Sequence, residues 1–318
     1  MNKPNTIIVN STTINFDSSL DAIFASENSF FDQINKATKE ILTTNKRIIL
    51  VAGPSGSGKT TFSKMLSAKL NDFGVETKVI EMDNYFKTYN KNTIPKTKDG
   101  KDDLESPECL NSELLHEHIS KLLKNEQIQL PKYNFILRKS ELSDTIVQPS
   151  NNTVFIIEGI HALNPVFSEG LDVFKIYINT NSRFNIYNPT TKEKILIDRR
   201  IERCFRRSIR DKRKRGFEVK ETLEMWENIV AGELKYVSIY KNEADIIIDS
   251  SFPYESFMLI PAFSKICNKE DCKKYPKLIE ILEFFENMPE IDLKYLPKSS
   301  LLNEFLTLWT VGEKDDIS

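Results

Sequence analysis

The fold of this chain is decided by the stretch Lys46-Arg-Ile-Ile-Leu-Val-Ala-Gly-Pro-Ser-Gly-Ser-Gly-Lys-Thr-Thr-Phe-Ser63. Within it, Ile48–Ala52 is short, apolar and rich in β-branched residues, which predicts a buried parallel strand. The segment Gly53–Thr60 then matches the pattern G-x-x-x-x-G-K-[ST] in full. Apolar residues recur at helical spacing from Phe62 to Leu70. The stretch therefore predicts a strand, a glycine-rich loop and a helix in direct succession.

A loop of this kind predicts a site for the phosphates of a nucleotide. Glycine lets the backbone curl, so that successive N–H groups and the N-terminus of the helix point at phosphate oxygens. Lys59 would reach the β- and γ-phosphates, and the hydroxyl of Thr60 would bind Mg²⁺. The alternative is a glycine-rich turn that only precedes a helix. The nucleotide-binding residues that we predict in the loop are Gly53, Ser55, Gly56, Ser57, Gly58, Lys59, Thr60 and Thr61.

The composition of the chain argues against several classes of protein. The chain has 318 residues, 40% of them apolar, and its net charge of -2 argues against binding a polyanion through bulk charge. No apolar run reaches the length of a membrane span, and we expect no signal peptide at the N-terminus. The four cysteines are scattered, which fits free thiols in a reducing, cytoplasmic environment better than a zinc site.

Strand-like and helix-like patterns alternate along the chain. We expect strands at residues 48–52, 75–82, 153–157, 173–178 and 244–249, and helices at residues 20–42, 110–123, 195–214 and 222–240. This alternation predicts an α/β fold with a P-loop NTPase-type parallel sheet, helices on both faces and a helical C-terminal tail. Ligands should then bind at the carboxyl ends of the strands.

Two acidic residues stand at such strand ends. Asp83 follows the second predicted strand, where its carboxylate could accept a proton from an attacking hydroxyl group. Glu158 ends the run Val-Phe-Ile-Ile-Glu and could hold Mg²⁺ directly or through water. Either residue could instead only cap the turn that follows its strand.

The segment 198–215 carries a strong local charge. It holds eight arginines and two lysines against three acidic residues, while the whole chain has a net charge of -2. One interpretation is a phosphate-clamping lid at about residues 195–217, because arginine binds phosphate bidentately and keeps its charge. The alternatives are a solvated basic face and a nucleic-acid patch.

Taken in order, these motifs resemble the uridine kinase and phosphoribulokinase group, and most of all the bacterial-type uridine kinase-like nucleoside kinases. The resemblance covers about residues 46–308. The lid of those kinases reads R-R-x-x-R-D-x-x-x-R-G, which is matched here by Arg206–Gly216. Other matching stretches are Asp83-Asn-Tyr-Phe, Asp103-Leu-Glu-Ser-Pro-Glu, Leu130-Pro-Lys-Tyr-Asn-Phe135, Ile157-Glu-Gly-Ile-His-Ala-Leu-Asn-Pro165, Glu221-Thr-Leu-Glu-Met-Trp, Gly232-Glu-Leu-Lys and Glu243-Ala-Asp-Ile.

The residue patterns predict three segments, and the resemblance implies a set of site residues. The segments are a lead-in at residues 1–45 with a small hairpin near 6–16 and a helix, a P-loop kinase domain at 46–252, and a helical extension at 253–318. The implied site residues are Asp83, Lys59 and Arg210 for catalysis, Thr60, Asp83 and Glu158 for Mg²⁺, Arg210 and Arg215 for the ATP phosphates, and Asp103, Glu105, Tyr133, Phe135 and Arg207 for the acceptor.

Several positions depart from the usual uridine kinase pattern. The ribose-binding aspartate aligns with Glu105, and a pyrimidine-reading glutamine aligns near Met225. Asn134, Arg138 and Phe217 also replace the usual residues. These changes put uridine itself in doubt as the acceptor, but they leave phosphoryl transfer untouched.

The leading hypothesis is an ATP- and Mg²⁺-dependent kinase that phosphorylates the 5′-hydroxyl of a nucleoside in pyrimidine salvage. We expect a small-molecule partner and neither nucleic acid nor a membrane, and a homo-oligomer is compatible with the sequence. One alternative is a kinase of another small alcohol, such as a sugar phosphate or a pantothenate-like molecule. Another is a regulator that binds nucleotides without transferring phosphate. The string Asn268-Lys-Glu-Asp271 matches a guanine-reading motif, but it follows no predicted strand, so we interpret it as coincidence.

Overall fold

The computed structural model describes residues 11–15, 20–188 and 190–307. It divides the chain into two compact units. Of the described residues, the first unit contains 30–179 and 227–250, and the second contains 11–15, 20–29, 180–188, 190–226 and 251–307. Among the described residues, no helix is both long enough and apolar enough to span a membrane.

The described strands and helices alternate through most of the chain. The strands are β1 (Ser11–Asn15), β2 (Ile48–Ala52), β3 (Thr77–Glu81), β4 (Ile128–Asn134), β5 (Lys139–Val147), β6 (Val154–Glu158), β7 (Val173–Asn179), β8 (Arg183–Tyr187), β9 (Lys194–Ile197) and β10 (Ile246–Asp249). The helices are α1 (Leu20–Leu42), α2 (Lys59–Asp72), α3 (Ser112–Leu123), α4 (Pro165–Ser168), α5 (Arg199–Arg210), α6 (Val219–Gly232), α7 (Ser256–Ser264), α8 (Pro276–Phe285) and α9 (Asn303–Leu306).

The first unit is built on a parallel sheet with the strand order β10-β7-β2-β6-β3. Every residue of β2 is buried, as expected for a central parallel strand that is covered on both faces. Helix α3 contributes Leu115, Ile119 and Leu122 to the core that packs on one side of this sheet. The predicted parallel sheet is confirmed, and its order places the carboxyl ends of β2, β6 and β3 side by side.

Helix α1 begins and ends at the predicted residues, Leu20 and Leu42. Ile23, Phe30 and Ile34 are buried, as the apolar spacing requires. The apolar pattern of the helix also predicts that Phe24 is buried, but Phe24 is 49% exposed. Its position lies beyond the edge of the stripe that a helix of period 3.6 can bury.

The sequence patterns missed several strands whose partners are distant or irregular. Strands β4 and β5 form an antiparallel hairpin, where proline and mixed polarity hid the alternation. In the small hairpin predicted near residues 6–16, the described residues form β1, which pairs in parallel with β8. The hairpin itself stays a prediction. Residues 6–10 and 16 of that prediction lie outside the described residues. Strand β9 occupies part of the segment where we predicted the start of a helix at residue 195.

The second unit combines the sheet β1-β8-β9 with helices from the C-terminal part of the chain. Phe205 of α5 packs on Phe263 of α7, with ring centroids 4.9 Å apart. Arg206 Nη2 lies 2.7 Å from a carboxylate oxygen of Glu255, and both side chains are fully buried. The two compact units therefore cut across the predicted boundaries at residues 45 and 252, because residues 180–226 and the C-terminal helices share one core.

Candidate active site

The glycine-rich loop has the backbone that its sequence predicts. Gly56 and Gly58 have φ angles of 79° and 84°, which L-residues with a side chain rarely adopt. A Cβ atom on Gly53 would lie 2.0 Å from the carbonyl oxygen of Ile178, so only glycine fits there. Helix α2 begins at Lys59, directly after Gly58. The loop thus meets the N-terminus of a 14-residue helix, which is the geometry that favours bound phosphate.

Two residues at the end of the loop are held in place by hydrogen bonds. The hydroxyl of Thr60 donates to Oε1 of Glu158 over 2.6 Å, which ties the start of α2 to the end of β6. The ammonium group of Lys59 donates to the carbonyl oxygen of Pro54 over 3.3 Å. The predicted nucleotide-binding loop and the predicted strand-end acid are therefore brought together.

Glu158 lies in an environment that disfavours its charge. Burial, together with the neighbouring carboxylates of Asp83 and Glu81, raises the pKa of Glu158 to about 8, although Lys59 and the hydrogen bond from Thr60 act in the opposite direction. Strand register places Glu81 directly beside Glu158. Acidic groups gathered beside a threonine hydroxyl are suitable ligands for a divalent cation.

Thr60 and Glu158 can supply only part of the coordination shell of Mg²⁺. Within the described ranges, no three histidine, cysteine or acidic side chains are grouped closely enough to hold a metal ion by themselves. Mg²⁺ in nucleotide sites usually keeps waters and phosphate oxygens and takes one or two protein ligands. Thr60 and Glu158 match that pattern.

Asp83 lies in a short turn, Met82–Tyr85, directly after β3. A Cβ atom on Gly159 would lie 2.6 Å from Cβ of Met82, so the ends of β3 and β6 pack closely only because residue 159 is glycine. In the same turn, Asn84 accepts a hydrogen bond from the backbone N–H of Tyr133 over 3.4 Å. The turn therefore links Asp83 to the hairpin β4–β5.

The two predicted aromatic residues of the acceptor pocket contact each other. The rings of Tyr133 and Phe135 meet edge to face with centroids 5.1 Å apart. Tyr133 lies in β4, which ends at Asn134, and Phe135 lies in the hairpin turn. Phe86 completes the cluster, with its ring centroid 5.4 Å from that of Tyr133. Phe86 belongs to the motif Asp83-Asn-Tyr-Phe but is not among the site residues predicted from the sequence.

The two predicted ribose-binding acids occupy different surroundings. Asp103 is buried, and its carboxylate accepts a hydrogen bond from the hydroxyl of Tyr236 over 2.8 Å. Glu105 is half-buried and packs against Gly232, where a Cβ atom would lie 2.4 Å from its own Cβ. Tyr236 was not selected from the sequence. It lies in a π-helical turn, Glu233–Val237, that follows α6 and changes the direction of the side chains.

The lid arginines belong to the second unit and surround one buried acid. Asp211 lies 3.1 Å from Nε of Arg207, 3.0 Å from Nη2 of Arg210 and 3.7 Å from Nη1 of Arg215. Burial alone would raise the pKa of Asp211, but the three arginines outweigh it and the pKa lies below its ordinary value. The centre of the predicted lid motif is therefore an acid that groups the arginines.

Not every arginine of the basic segment is available for phosphate. Arg203 and Arg206 are fully buried. The guanidinium of Arg206 also lies over the ring of Phe305, 5.3 Å from its centroid. The segment is therefore neither a uniformly solvated basic face nor an open row of arginines.

A glycine-rich loop before a helix, a parallel sheet and acids at neighbouring strand ends define a P-loop protein of the α/β class. The sequence profile of the Phosphoribulokinase / Uridine kinase family matches residues 48–253. The chain belongs to that family, and its membership supports a phosphotransferase.

The chain is similar to several curated uridine kinases. A uridine kinase of Borreliella burgdorferi (strain ZS7) is 29% identical over 226 residues, which cover 70% of this chain and 97% of that protein. A uridine kinase of Anoxybacillus flavithermus (strain DSM 21510 / WK1) is 30% identical over 202 residues, or 63% of this chain and 84% of that protein. A structure described as a possible uridine kinase from Bacillus stearothermophilus has a TM-score of 0.45 at 19% identity and covers 70% of this chain and 100% of that chain.

Proposed function

We propose that this protein is an ATP-dependent kinase that transfers the γ-phosphoryl group to the 5′-hydroxyl of a uridine- or cytidine-like nucleoside. The observation that carries the proposal is the 2.6 Å hydrogen bond from Thr60 to Glu158, which fixes the phosphate loop against the strand end beside Asp83. We further propose that the reaction takes place in the cytoplasm, as part of pyrimidine salvage. The four cysteines are free thiols, which fits a reducing compartment.

The proposed roles follow from the chemistry of each group. Backbone N–H groups of the loop bind the phosphates, and Lys59 neutralises charge on the transferred group. Asp83 accepts the proton of the attacking hydroxyl. Thr60 and Glu158 would hold Mg²⁺, with Asp83 as a further ligand, and the ion would neutralise charge on the phosphate oxygens when bound. Arg207 would serve the acceptor side, and Arg210 and Arg215 the phosphate side of the lid.

The proposed acceptor pocket combines a flat apolar surface with acids. The rings of Phe86, Tyr133 and Phe135 supply faces and edges on which a base can pack. Asp103 and Glu105 supply carboxylate oxygens that can accept hydrogen bonds from ribose hydroxyls. This combination favours a nucleoside over an acceptor without an aromatic part.

A second candidate is a kinase of another small alcohol, such as a sugar phosphate. It is favoured by the segment around Met225, because the pyrimidine-reading glutamine of uridine kinases aligns near this residue and methionine cannot make the same hydrogen bonds. The family itself takes its name from phosphoribulokinase as well as uridine kinase. A purely nucleotide-binding regulator with a nucleic-acid surface is less well supported, because Arg203 and Arg206 are buried.

The test is the release of ADP from ATP and Mg²⁺ with a panel of acceptors. The panel contains uridine, cytidine, adenosine, guanosine, ribulose 5-phosphate and pantothenate. We expect turnover with at least one pyrimidine ribonucleoside. Turnover with ribulose 5-phosphate or pantothenate alone would favour the second candidate. ATP binding without turnover, together with salt-sensitive RNA binding, would favour the regulator.

Two variants separate catalysis from binding in the same assay. Lys59→Ala should lose activity by several orders of magnitude, because it removes the cation that contacts the γ-phosphate. Asp83→Asn should keep ATP affinity and lower kcat by roughly 10²–10⁴-fold, the usual contribution of a positioned base. If kcat hardly changes in Asp83→Asn, then Asp83 only caps the turn after β3.

A further inference from the structure

His161 is a buried side chain that the proposed roles do not use. It lies three residues after Glu158, and its residue surface is 1% exposed. Within the part of the chain that the structure describes, neither Nδ1 nor Nε2 has a hydrogen-bond partner. The backbone carbonyl of Glu105 is near enough to favour a charged ring, but it does not meet the geometry of a hydrogen bond.

A second buried histidine provides a comparison. His118 lies in α3, and its Nδ1 is 2.8 Å from the hydroxyl of Tyr85. A buried polar group without a partner costs free energy, so native proteins normally pair such groups as His118 is paired. His161 departs from that rule, which calls for a partner outside the protein.

The surroundings of His161 belong to the candidate active site. Its ring stacks on Phe167 and meets the edge of Tyr236, with a centroid distance of 6.2 Å to the latter. Tyr236 in turn donates to Asp103. The charges of Asp83, Lys59 and Asp103 also influence the pKa of the imidazole, so the ring lies within electrostatic range of all three groups.

The imidazole is neutral at physiological pH. Burial lowers the pKa of His161 to about 4, and the acids around it offset this only in part. A neutral imidazole has one N–H donor and one nitrogen acceptor. A hydroxyl group also donates and accepts, so the two groups are complementary.

We propose that His161 is a specificity-determining residue of the acceptor pocket, and that a ring nitrogen forms a hydrogen bond with a ribose hydroxyl of the bound nucleoside. This inference rests on the proposed nucleoside kinase function and adds a residue to it. A site that bonds a hydroxyl rejects an analogue without it, because the protein group is then left buried and unpaired.

The test compares His161→Leu and His161→Gln with wild type, using uridine, 2′-deoxyuridine and 3′-deoxyuridine as acceptors. We expect His161→Leu to raise the KM for uridine by roughly 10- to 100-fold, the effect of losing a hydrogen bond in a buried site. The KM for ATP should stay within about twofold, because the phosphate loop is untouched. The preference for uridine over one deoxynucleoside should shrink in His161→Leu, and His161→Gln should restore it in part.

His118→Leu is the matched control. It removes a buried histidine whose hydrogen bond lies within the protein, so it should lower Tm by several degrees and leave the KM for uridine unchanged. His161→Leu should not lower Tm, because the ligand-free protein loses no hydrogen bond there. A KM for uridine within about twofold of wild type in His161→Leu would overturn the inference while leaving the proposed function intact.

The role of His161 can still be tested if the proposed nucleoside kinase function is wrong. If the wild type phosphorylates no nucleoside, the proposed function fails. The KM of His161→Leu is then divided by that of wild type for whichever of ribulose 5-phosphate or pantothenate is phosphorylated. An unchanged ratio then overturns a role for His161 in acceptor binding, and a raised ratio supports it. If no acceptor reacts, the Tm of the variants is compared with that of wild type. A fall in the Tm of His161→Leu equal to that of His118→Leu shows a structural role for His161 and overturns the inference. A Tm of His161→Leu equal to that of wild type supports a role of His161 in ligand binding.

Discussion

Glu158 combines two conflicting requirements in a single side chain. It accepts the hydrogen bond that orders Thr60, and it lies buried beside the carboxylates of Asp83 and Glu81. Burial and those like charges raise its pKa to about 8, so the ligand-free protein binds a proton there at neutral pH. A divalent cation and the carboxylate form of Glu158 would stabilise each other, so cation binding should release a proton.

Replacing Glu158 by glutamine should change how stability depends on pH in the metal-free protein. The folded pKa lies above the unfolded one, so the contribution of Glu158 is complete below about pH 4.5 and is lost as pH rises towards 8. Glutamine stays neutral and still accepts from Thr60. The free energy of unfolding of Glu158→Gln should therefore equal that of wild type near pH 4.5 and exceed it increasingly towards pH 8, by at most about 1.4 kcal/mol per pH unit.

Urea unfolding in EDTA at pH 5 and pH 8 measures this difference. Glu113→Gln, an exposed change on α3, serves as the control and should show no such divergence. Parallel pH curves for wild type and Glu158→Gln would contradict the electrostatic account. The same variant should also lose Mg²⁺-dependent kinase activity.

At the scale of elements, α5 ends in a cluster of one acid and three arginines. Asp211 is 1% exposed, and it approaches Arg207, Arg210 and Arg215 within 4 Å. Without the carboxylate of Asp211, the guanidinium groups of the three arginines would repel one another in a partly buried environment. The acid therefore has a structural task that must be separated from any effect of the arginines on phosphate.

Asp211→Asn should destabilise the protein by about 3–5 kcal/mol at pH 7, the usual cost of removing one partner of a buried ion pair. The pKa of Asp211 is depressed in the folded state, so its contribution is present above about pH 4 and is lost at lower pH. The difference in the free energy of unfolding between wild type and Asp211→Asn should thus disappear below about pH 4. Thermal unfolding across this range measures it, with the exposed change Lys214→Ala as control. A constant difference at all pH values would show that packing, not charge, explains the effect.

Helix α6 ends at Gly232, where helix preference and packing oppose each other. Alanine normally favours a helix over glycine by about 1 kcal/mol. At this position, however, its Cβ atom would lie 2.4 Å from Cβ of Glu105, so the side chain of Glu105 must move.

Gly232→Ala should therefore raise the KM for a nucleoside acceptor and leave the KM for ATP unchanged, because Glu105 belongs to the proposed acceptor pocket. Steady-state kinetics with uridine measure both constants. The neighbouring exposed change Ala231→Ser should have no effect on either one. An unchanged KM for uridine in Gly232→Ala would remove Glu105 from the acceptor site.

At the scale of the whole molecule, the C-terminal helices are part of a core and not an appendage. Glu255 and Arg206 form a fully buried ion pair, and Phe263 packs on Phe205. The guanidinium of Arg213 also donates to the carbonyl oxygen of Phe305 over 2.8 Å.

A chain that ends at residue 252 should consequently fail to form the second unit. It would leave Arg206 without its carboxylate partner and would expose the apolar face of α5, which carries Phe205 and Ile209. We expect loss of cooperative thermal unfolding, together with loss of kinase activity, since the lid arginines belong to this unit. Full-length Lys294→Ala, an exposed change in the same region, is the control. A soluble truncated chain with the Tm and kcat of the full chain would support the predicted boundary at residue 252 instead.

The sequence by itself determined the elements whose signals are local. Strand β2, the loop Gly53–Thr60 and helix α2 follow one another without interruption, so backbone preference, burial and glycine geometry all apply within a few residues. Helix α1 was equally predictable, because one apolar stripe repeats over its whole length. The positions of Asp83 and Glu158 followed from a general rule, since parallel strands bring their carboxyl ends to one edge.

Only the tertiary structure decided the features that join distant parts of the chain. Strand β1 pairs with β8, and Asp103 accepts a hydrogen bond from Tyr236. Asp211 groups three arginines, of which Arg210 and Arg215 were predicted to bind phosphate and Arg207 to bind the acceptor. The unpaired burial of His161 could be recognised only once its neighbours were placed. The physical reason is that pairing and burial are properties of contacts between residues far apart in sequence, whereas residue patterns report what each segment can do alone.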